Sequence, residues 1–276
     1  MLTNNEIKKI GIIAGSGDLP YILIKELKKK GIEPYVVALN YGLASFLLLN
    51  SVPFIKCSIT EVKKTINFFK SNNVNSLILL GKITRPNLFG ILNIDSDAKI
   101  LLKQILSNIG GDDKILSQIV DFFEQNHGFE VVGAQAFIEN HMFAGTINDI
   151  TSELEKVDIQ IGREYLQTAS KFDIGQAVVV RNKQIICVEG ADGTDAMLER
   201  AKSINSNVKY GGVMVKMPKS GQNLKVDLPT IGIKTIKNCF KAKIKAVAIE
   251  KSKCFILEKE EITDFAGKNA ISIVSV

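Results

Sequence analysis

The chain has 276 residues, 46% hydrophobic and 23% charged, which suits one large or two ordinary globular domains with a sizeable core. No apolar run approaches the roughly 20 residues that cross a bilayer, and no secretory signal is read in the polar first residues, so a cytoplasmic protein is expected rather than a membrane-spanning or secreted one. The formal charge of +6 rests on lysine, with Arg85, Arg163, Arg181 and Arg200 as the only arginines, so no nucleic-acid partner is expected; a lysine-rich surface suits solvent, anionic ligands or an anionic membrane face.

The first half alternates. Residues 10–14 read as a buried strand, 20–30 as a helix ending at Gly31, 35–39 as a second strand and 53–57 as a third. Residues 61–72 are amphipathic, with Val62, Ile66 and Phe69 on one face; 77–80 form another buried strand. Residues 100–109 and 114–125 carry helical spacing, and Val131 and Val132 resume strand character. Strands alternating with helices predict a parallel sheet covered on both faces.

The second half has another rhythm. Residues 150–171 read as two short helices, and 176–181 with 184–189 as a hairpin turning on Asn182-Lys183, a weaker turn than Asn-Gly. A helix over 195–203, a strand over 213–217, a basic helix over 233–245 and strands at 246–250, 254–257 and 271–276 follow. This predicts a mixed α/β domain, with the boundary near residues 142–149. Cys57, Cys187, Cys239 and Cys254 are widely spaced, and His127 and His141 are the only histidines, which points to reduced structural thiols and away from zinc.

Four glycine- and aspartate-rich segments punctuate this pattern. Gly15-Ser16-Gly17-Asp18-Leu19-Pro20 joins the first strand to the first helix, where glycines and helix-start amides suit a phosphate, and Asp18 and Pro20 suit capping and the first turn. Pro20 replaces the third glycine of a dinucleotide fingerprint, and the second strand ends at Asn40 without an acid for a ribose, which disfavours a nicotinamide or flavin. Gly110-Gly111-Asp112-Asp113 offers two carboxylates to a ribose or a metal, or simply a cap. In Glu189-Gly190-Ala191-Asp192-Gly193-Thr194-Asp195, Thr194 or Asp195 suits a helix cap. Asp227-Leu228-Pro229-Thr230-Ile231-Gly232 holds Asp227 on a stiff extended segment, since Pro229 restricts Leu228. Upstream, Lys216, Lys219, Gln222 and Lys225 supply cationic and amide donors for a phosphate. No GxSxG occurs, so acid–base work would rest on carboxylates or metal-bound water.

Taken in order, these segments resemble the UDP-2,3-diacylglucosamine pyrophosphatase of lipid A biosynthesis, in the form found where the calcineurin-like enzyme for that step is lacking. The resemblance implies a Rossmann-like N-terminal domain (residues 1–143), a smaller mixed α/β catalytic domain (144–276) and a glycolipid taken up between them. It implies hydrolysis to UMP and 2,3-diacylglucosamine 1-phosphate with a divalent metal, Mg²⁺ or Mn²⁺, a homodimer, and contact with the cytoplasmic face of the inner membrane. Asp227 is the expected catalytic residue and metal ligand. Substrate contacts are expected at Gly15, Ser16, Gly17, Asp18, Lys82, Asp112, Asp113 and Gln135 from the first half. Gly190, Thr194, Asp195, Lys216, Lys219, Gln222 and Thr230 are expected from the second. Asn223 and Lys225 stand where relatives usually carry a carboxylate and a guanidinium, and Asp192 where glutamate is usual. A non-catalytic binder of a nucleotide-sugar or glycolipid is the alternative, and would show binding without turnover.

Overall fold

The computed structural model describes residues 7–40, 42–83, 94–107, 112–150 and 152–276, without the side chains of Asp112 and Asp113. Arg85, Gly110, Gly111 and those two carboxylates therefore lie outside the described residues. The chain divides into two compact units, Met1–Glu139 with Asn223–Asp227, and Asn140–Gln222 with Leu228–Val276.

In the first unit, β1 (Lys9–Ala14), β2 (Glu33–Ala38), β3 (Phe54–Lys56), β4 (Ser76–Leu80) and β5 (Glu130–Val131) form a wholly parallel sheet in the order β3-β2-β1-β4-β5. The continuous apolar runs of β1 and β4 are what a sheet buried on both faces requires. Helix α1 (Leu19–Lys29) starts with Pro20 in its first turn and buries Leu23, Ile24 and Leu27. A short α2 (Ala44–Leu49) buries only Leu47 and has no apolar stripe, so its periodicity was invisible. Helices α3 (Val62–Ser71), α4 (Ser96–Ser107) and α5 (Asp112–Asp121) bring Ile66, Phe69, Leu101 and Val120 onto Val37, Leu77 and Leu79. A π-helical turn, Phe122–Asn126, continues α5.

In the second unit a six-stranded sheet runs β6-β13-β11-β9-β7-β8, built from β6 (Thr146–Ile147), β7 (Ala177–Arg181), β8 (Gln184–Val188), β9 (Val213–Lys216), β11 (Ala246–Ile249) and β13 (Ser272–Ser275). Strands β9, β11 and β13 are parallel and the others antiparallel to their neighbours, the mixed sheet that the second rhythm predicts. A separate parallel pair joins β10 (Thr230–Ile231) to β12 (Phe255–Ile256). Helices α7 (Gly193–Ile204), α8 (Ile233–Lys241) and α9 (Lys259–Asn269) pack Leu198, Ile236 and Ile262 into one core, while Ile159 and Leu166 pack on the other sheet face.

Two expectations are corrected here. Residues 150–171 hold one long helix, α6 (Glu153–Ala169), with a 3₁₀ turn after it, instead of two short helices. Gly162 does not break α6; a Cβ there would sit 2.5 Å from Val215, so glycine lets helix and sheet approach. Helix α8 stops at Lys241, four residues early, because Lys243 takes a left-handed φ of 60° and turns the chain into β11. Helix α9 was not anticipated, since only Ile262 and Ala266 of it are buried.

The Asn182-Lys183 hairpin does form. Both residues are left-handed, at φ 51° and 66°, as a type I′ turn demands. The turn is held from outside: the buried Asp158 carboxylate accepts from Asn182 N at 3.0 Å, Lys183 N at 2.6 Å and the Tyr210 hydroxyl at 3.1 Å.

Candidate functional site

In the first unit the strand order reverses between β1 and β4, and the crevice outside the carboxyl ends of such strands is where ligands bind in open parallel sheets. Both loops leaving that point carry expected site residues. Gly15 N donates to Leu80 O at 2.8 Å, Ser16 N to Lys82 O at 2.9 Å, and Lys82 N back to Ser16 O at 2.8 Å. The Ser16 hydroxyl donates to the same Lys82 carbonyl at 2.9 Å. The two loops are thus stitched backbone to backbone, and a Cβ on Gly15 would meet Lys82 O at 2.6 Å. Gly15 serves close approach of the loops, and its amide and that of Ser16 are already used. Gly17 and Asp18 are exposed at the start of α1, their amides have no backbone partner among the described residues, and the Asp18 carboxylate accepts no capping bond. Gly15→Ala is expected to cost about 1–3 kcal/mol of stability, read as a lower urea midpoint. An unchanged midpoint would show that the loops part without penalty.

Gln135 lies just beyond β5, in a 3₁₀ turn, and its Nε2 donates to Leu224 O at 3.2 Å while its buried Oε1 has no partner among the described residues. That bond belongs to the anchoring of Asn223–Asp227. Lys225 Nζ reaches Glu124 Oε1 at 3.0 Å, and Val226 packs against the core of the first unit. Asn223 organises the turn: its Oδ1 accepts from Lys225 N at 3.1 Å and its carbonyl from Asp227 N at 3.2 Å. The two departures from the usual pattern, Asn223 and Lys225, therefore both have local work, and Asp227 is carried on the stretch they hold.

In the second unit a polar cluster gathers at the carboxyl end of β9. Lys216 is 6% exposed; its ammonium donates to Thr194 Oγ1 at 2.7 Å and lies 3.7 Å from Glu189 Oε2. Thr194 passes the bond on, donating to Glu189 Oε1 at 2.8 Å, and Gln176 N donates to Glu189 Oε2 at 3.2 Å. Lys219 pairs with Asp173, and its amide donates to the Oε1 of buried Gln222 at 2.8 Å. Glu189 and Asp173 were not among the expected site residues. Glu189 opens one of the glycine- and acid-rich segments of the sequence, whereas Asp173 carries no signal there beyond being an acid near an apolar strand.

Asp195 is not in this cluster: it sits on the outer α7–α8 surface, bonded to Lys234 at 2.6 Å and Asn238 at 3.2 Å. Asp192 occupies the N-cap of α7 and pairs with Arg200, so neither Thr194 nor Asp195 is the cap. Gly190 N donates to Asp192 Oδ1 at 3.3 Å, and Thr230 opens β10 with its hydroxyl on Leu228 O at 3.4 Å. Asp112 starts α5 and Asp113 follows it.

Among the described residues no three His, Cys, Asp or Glu side chains form a ready metal cluster. Magnesium asks for less: one or two carboxylates, completed by waters and substrate phosphates, and Asp227 is chemically suited to be such a ligand. The cysteines are poor ligands. Burial pushes the Cys239 and Cys254 thiols up to about 12, with Lys216 only partly offsetting it. At about pH 8 such a thiol is thiolate about once in ten thousand. Iodoacetamide should leave both unmodified in the native protein and label them in denaturant, as mass spectrometry of tryptic peptides would show; native labelling would contradict their burial.

The family models for the LpxI N-terminal domain and the LpxI C-terminal domain match residues 9–141 and 144–274. A UDP-2,3-diacylglucosamine pyrophosphatase LpxI of Caulobacter vibrioides is 28% identical over 279 residues, covering 98% of this chain and 98% of that protein. Among solved structures, a UDP-N-acetylglucosamine 4-epimerase from Bacillus cereus aligns over 97% of this chain and 87% of its own at 12% identity, with a TM-score of 0.32. At that TM-score the likeness carries no argument about chemistry.

Proposed function

Because the chain belongs to the LpxI family, we propose that it hydrolyses the diphosphate of UDP-2,3-diacylglucosamine to UMP and 2,3-diacylglucosamine 1-phosphate, in lipid A biosynthesis. The observation that carries this reading is the match to both family domains together with a pyrophosphatase relative aligned over nearly the whole of both chains. We assign it to the form distinct from the calcineurin-like enzyme and place it at the cytoplasmic face of the inner membrane. No helix among the described residues is long and apolar enough to cross a membrane.

Hydrolysis adds the oxygen of water to one phosphorus, breaks the bridging P–O bond and releases a proton. Asp227 is the carboxylate we assign to hold a divalent ion, with Mg²⁺ as first choice. When bound, that ion neutralises phosphate oxygens and lowers the barrier to attack. Lys216 supplies fixed positive charge for the phosphates. The bonds through Thr194 and Glu189 hold its ammonium in one orientation.

Product analysis of UDP-2,3-diacylglucosamine incubated with Mg²⁺, with EDTA, and with EDTA followed by excess Mg²⁺ tests the reading. UMP and the sugar 1-phosphate are expected in the first and third samples. Tight binding with no turnover in any sample would leave a binding protein in its place.

A further inference from the structure

We propose that the corner made by α1 and α2 is a docking surface for an anionic lipid bilayer. This deepens the proposed function and rests on it in one respect: a diacylated substrate resides in such a bilayer. Leu48 and Leu49 are 68% and 86% exposed, next to each other on α2 and away from its buried Leu47. One exposed leucine is ordinary; two in succession on a helix that buries a single residue are a surplus of apolar surface.

The frame around them is cationic. Lys25, Lys28, Lys29 and Lys30 are all exposed at the end of α1, and Glu26, the one acid in that stretch, is already paired with Lys29. Two of these lysines touch α2 itself. Lys25 Nζ stands 5.8 Å from the Phe46 ring centroid, and Lys28 Nζ donates to the carbonyl of Asn50, the C-cap of α2. The helix dipole accounts for lysines in the last turn of α1, yet not for Lys25 or for the bare leucines beside it. Lysines rimming exposed leucines are what an interfacial anchor uses: cations meet anionic headgroups while apolar side chains enter the acyl boundary. A second copy of the chain on this corner would set lysine against lysine, so charge complementarity selects the lipid surface.

Flotation with vesicles of phosphatidylcholine, alone or mixed with phosphatidylglycerol, tests the proposal. The protein should float with the mixed vesicles, less as salt is raised, and scarcely with the neutral ones. Leu48→Ser with Leu49→Ser should weaken vesicle binding at least about tenfold. Lys25→Gln and Lys28→Gln should each weaken it about fivefold. These positions are exposed, and far-UV circular dichroism would verify that each variant is folded. Equal flotation on both vesicle types, or variants that float like the parent, would overturn the proposal. So would sedimentation velocity showing a dimer that the leucine variant abolishes. Turnover of detergent-dispersed substrate should be unchanged in the leucine variant. Failure of the parent to turn that substrate over would sink the enzymatic reading while leaving the flotation result to decide the surface.

Discussion

Asp227→Ala is expected to lower hydrolysis of UDP-2,3-diacylglucosamine by at least about a hundredfold, the scale of losing one electrostatic partner of a transition state. The loss should fall on kcat more than on KM, because a group that acts as charge develops adds little to ground-state binding. The local fold predicts that the variant survives. Asn223–Asp227 is fastened by the Lys225–Glu124 pair, by Val226 in the core of the first unit and by the Gln135 amide on Leu224. Asp227→Asn keeps the shape and a neutral oxygen, and should lose most of the activity as well. Its urea midpoint, set beside that of the parent, separates lost chemistry from lost structure. Turnover within a few fold of the parent in a folded variant would move the chemistry to another residue.

Asp158→Ala is expected to cost about 3 kcal/mol or more of folding stability, with the loss read from the urea midpoint. The carboxylate is wholly buried and serves three donors. Its removal takes the acceptor from two amides of an exposed turn and from a partly buried phenol, each at a cost of about 1 kcal/mol or more. The Asn-Lys turn also has no glycine to ease its left-handed residues, so it depends on the outside acceptor. A pH signature accompanies this. Burial and the neighbouring Asp158 push the Tyr210 hydroxyl well above its ordinary range. Above about pH 10 the unfolded chain therefore releases a proton that the folded one keeps, and stability falls as pH rises. Tyr210→Phe should flatten that alkaline slope. A midpoint unmoved by Asp158→Ala would show that water or a rearranged turn replaces the carboxylate.

The strand–helix alternation of the first unit was legible because buried parallel strands and amphipathic helices write different periods, as in β1, α1 and α3. The hairpin was legible from two apolar runs set two residues apart. Elements with little buried surface, α2 and α9, left no such period. Residues 150–171 were misread as two short helices where one runs through, and 233–245 was read four residues too long because Lys243 turns left-handed.

Residue order alone thus determined the parallel sheet, the change of architecture after it, and the segments whose succession marks the family. Which side chains meet was decided only in three dimensions. Glu189 and Lys216 come together because β7 lies between β8 and β9: Ala177 stands opposite Lys216 in register, and its carbonyl accepts from Glu189 N at 2.9 Å. Asp227, written among residues of the second unit, travels with the first because Val226 and Leu224 find their partners there. The reason is physical: periodicity reports how each segment faces its own core, whereas pairing across strands depends on sheet order, which nearby residues do not encode.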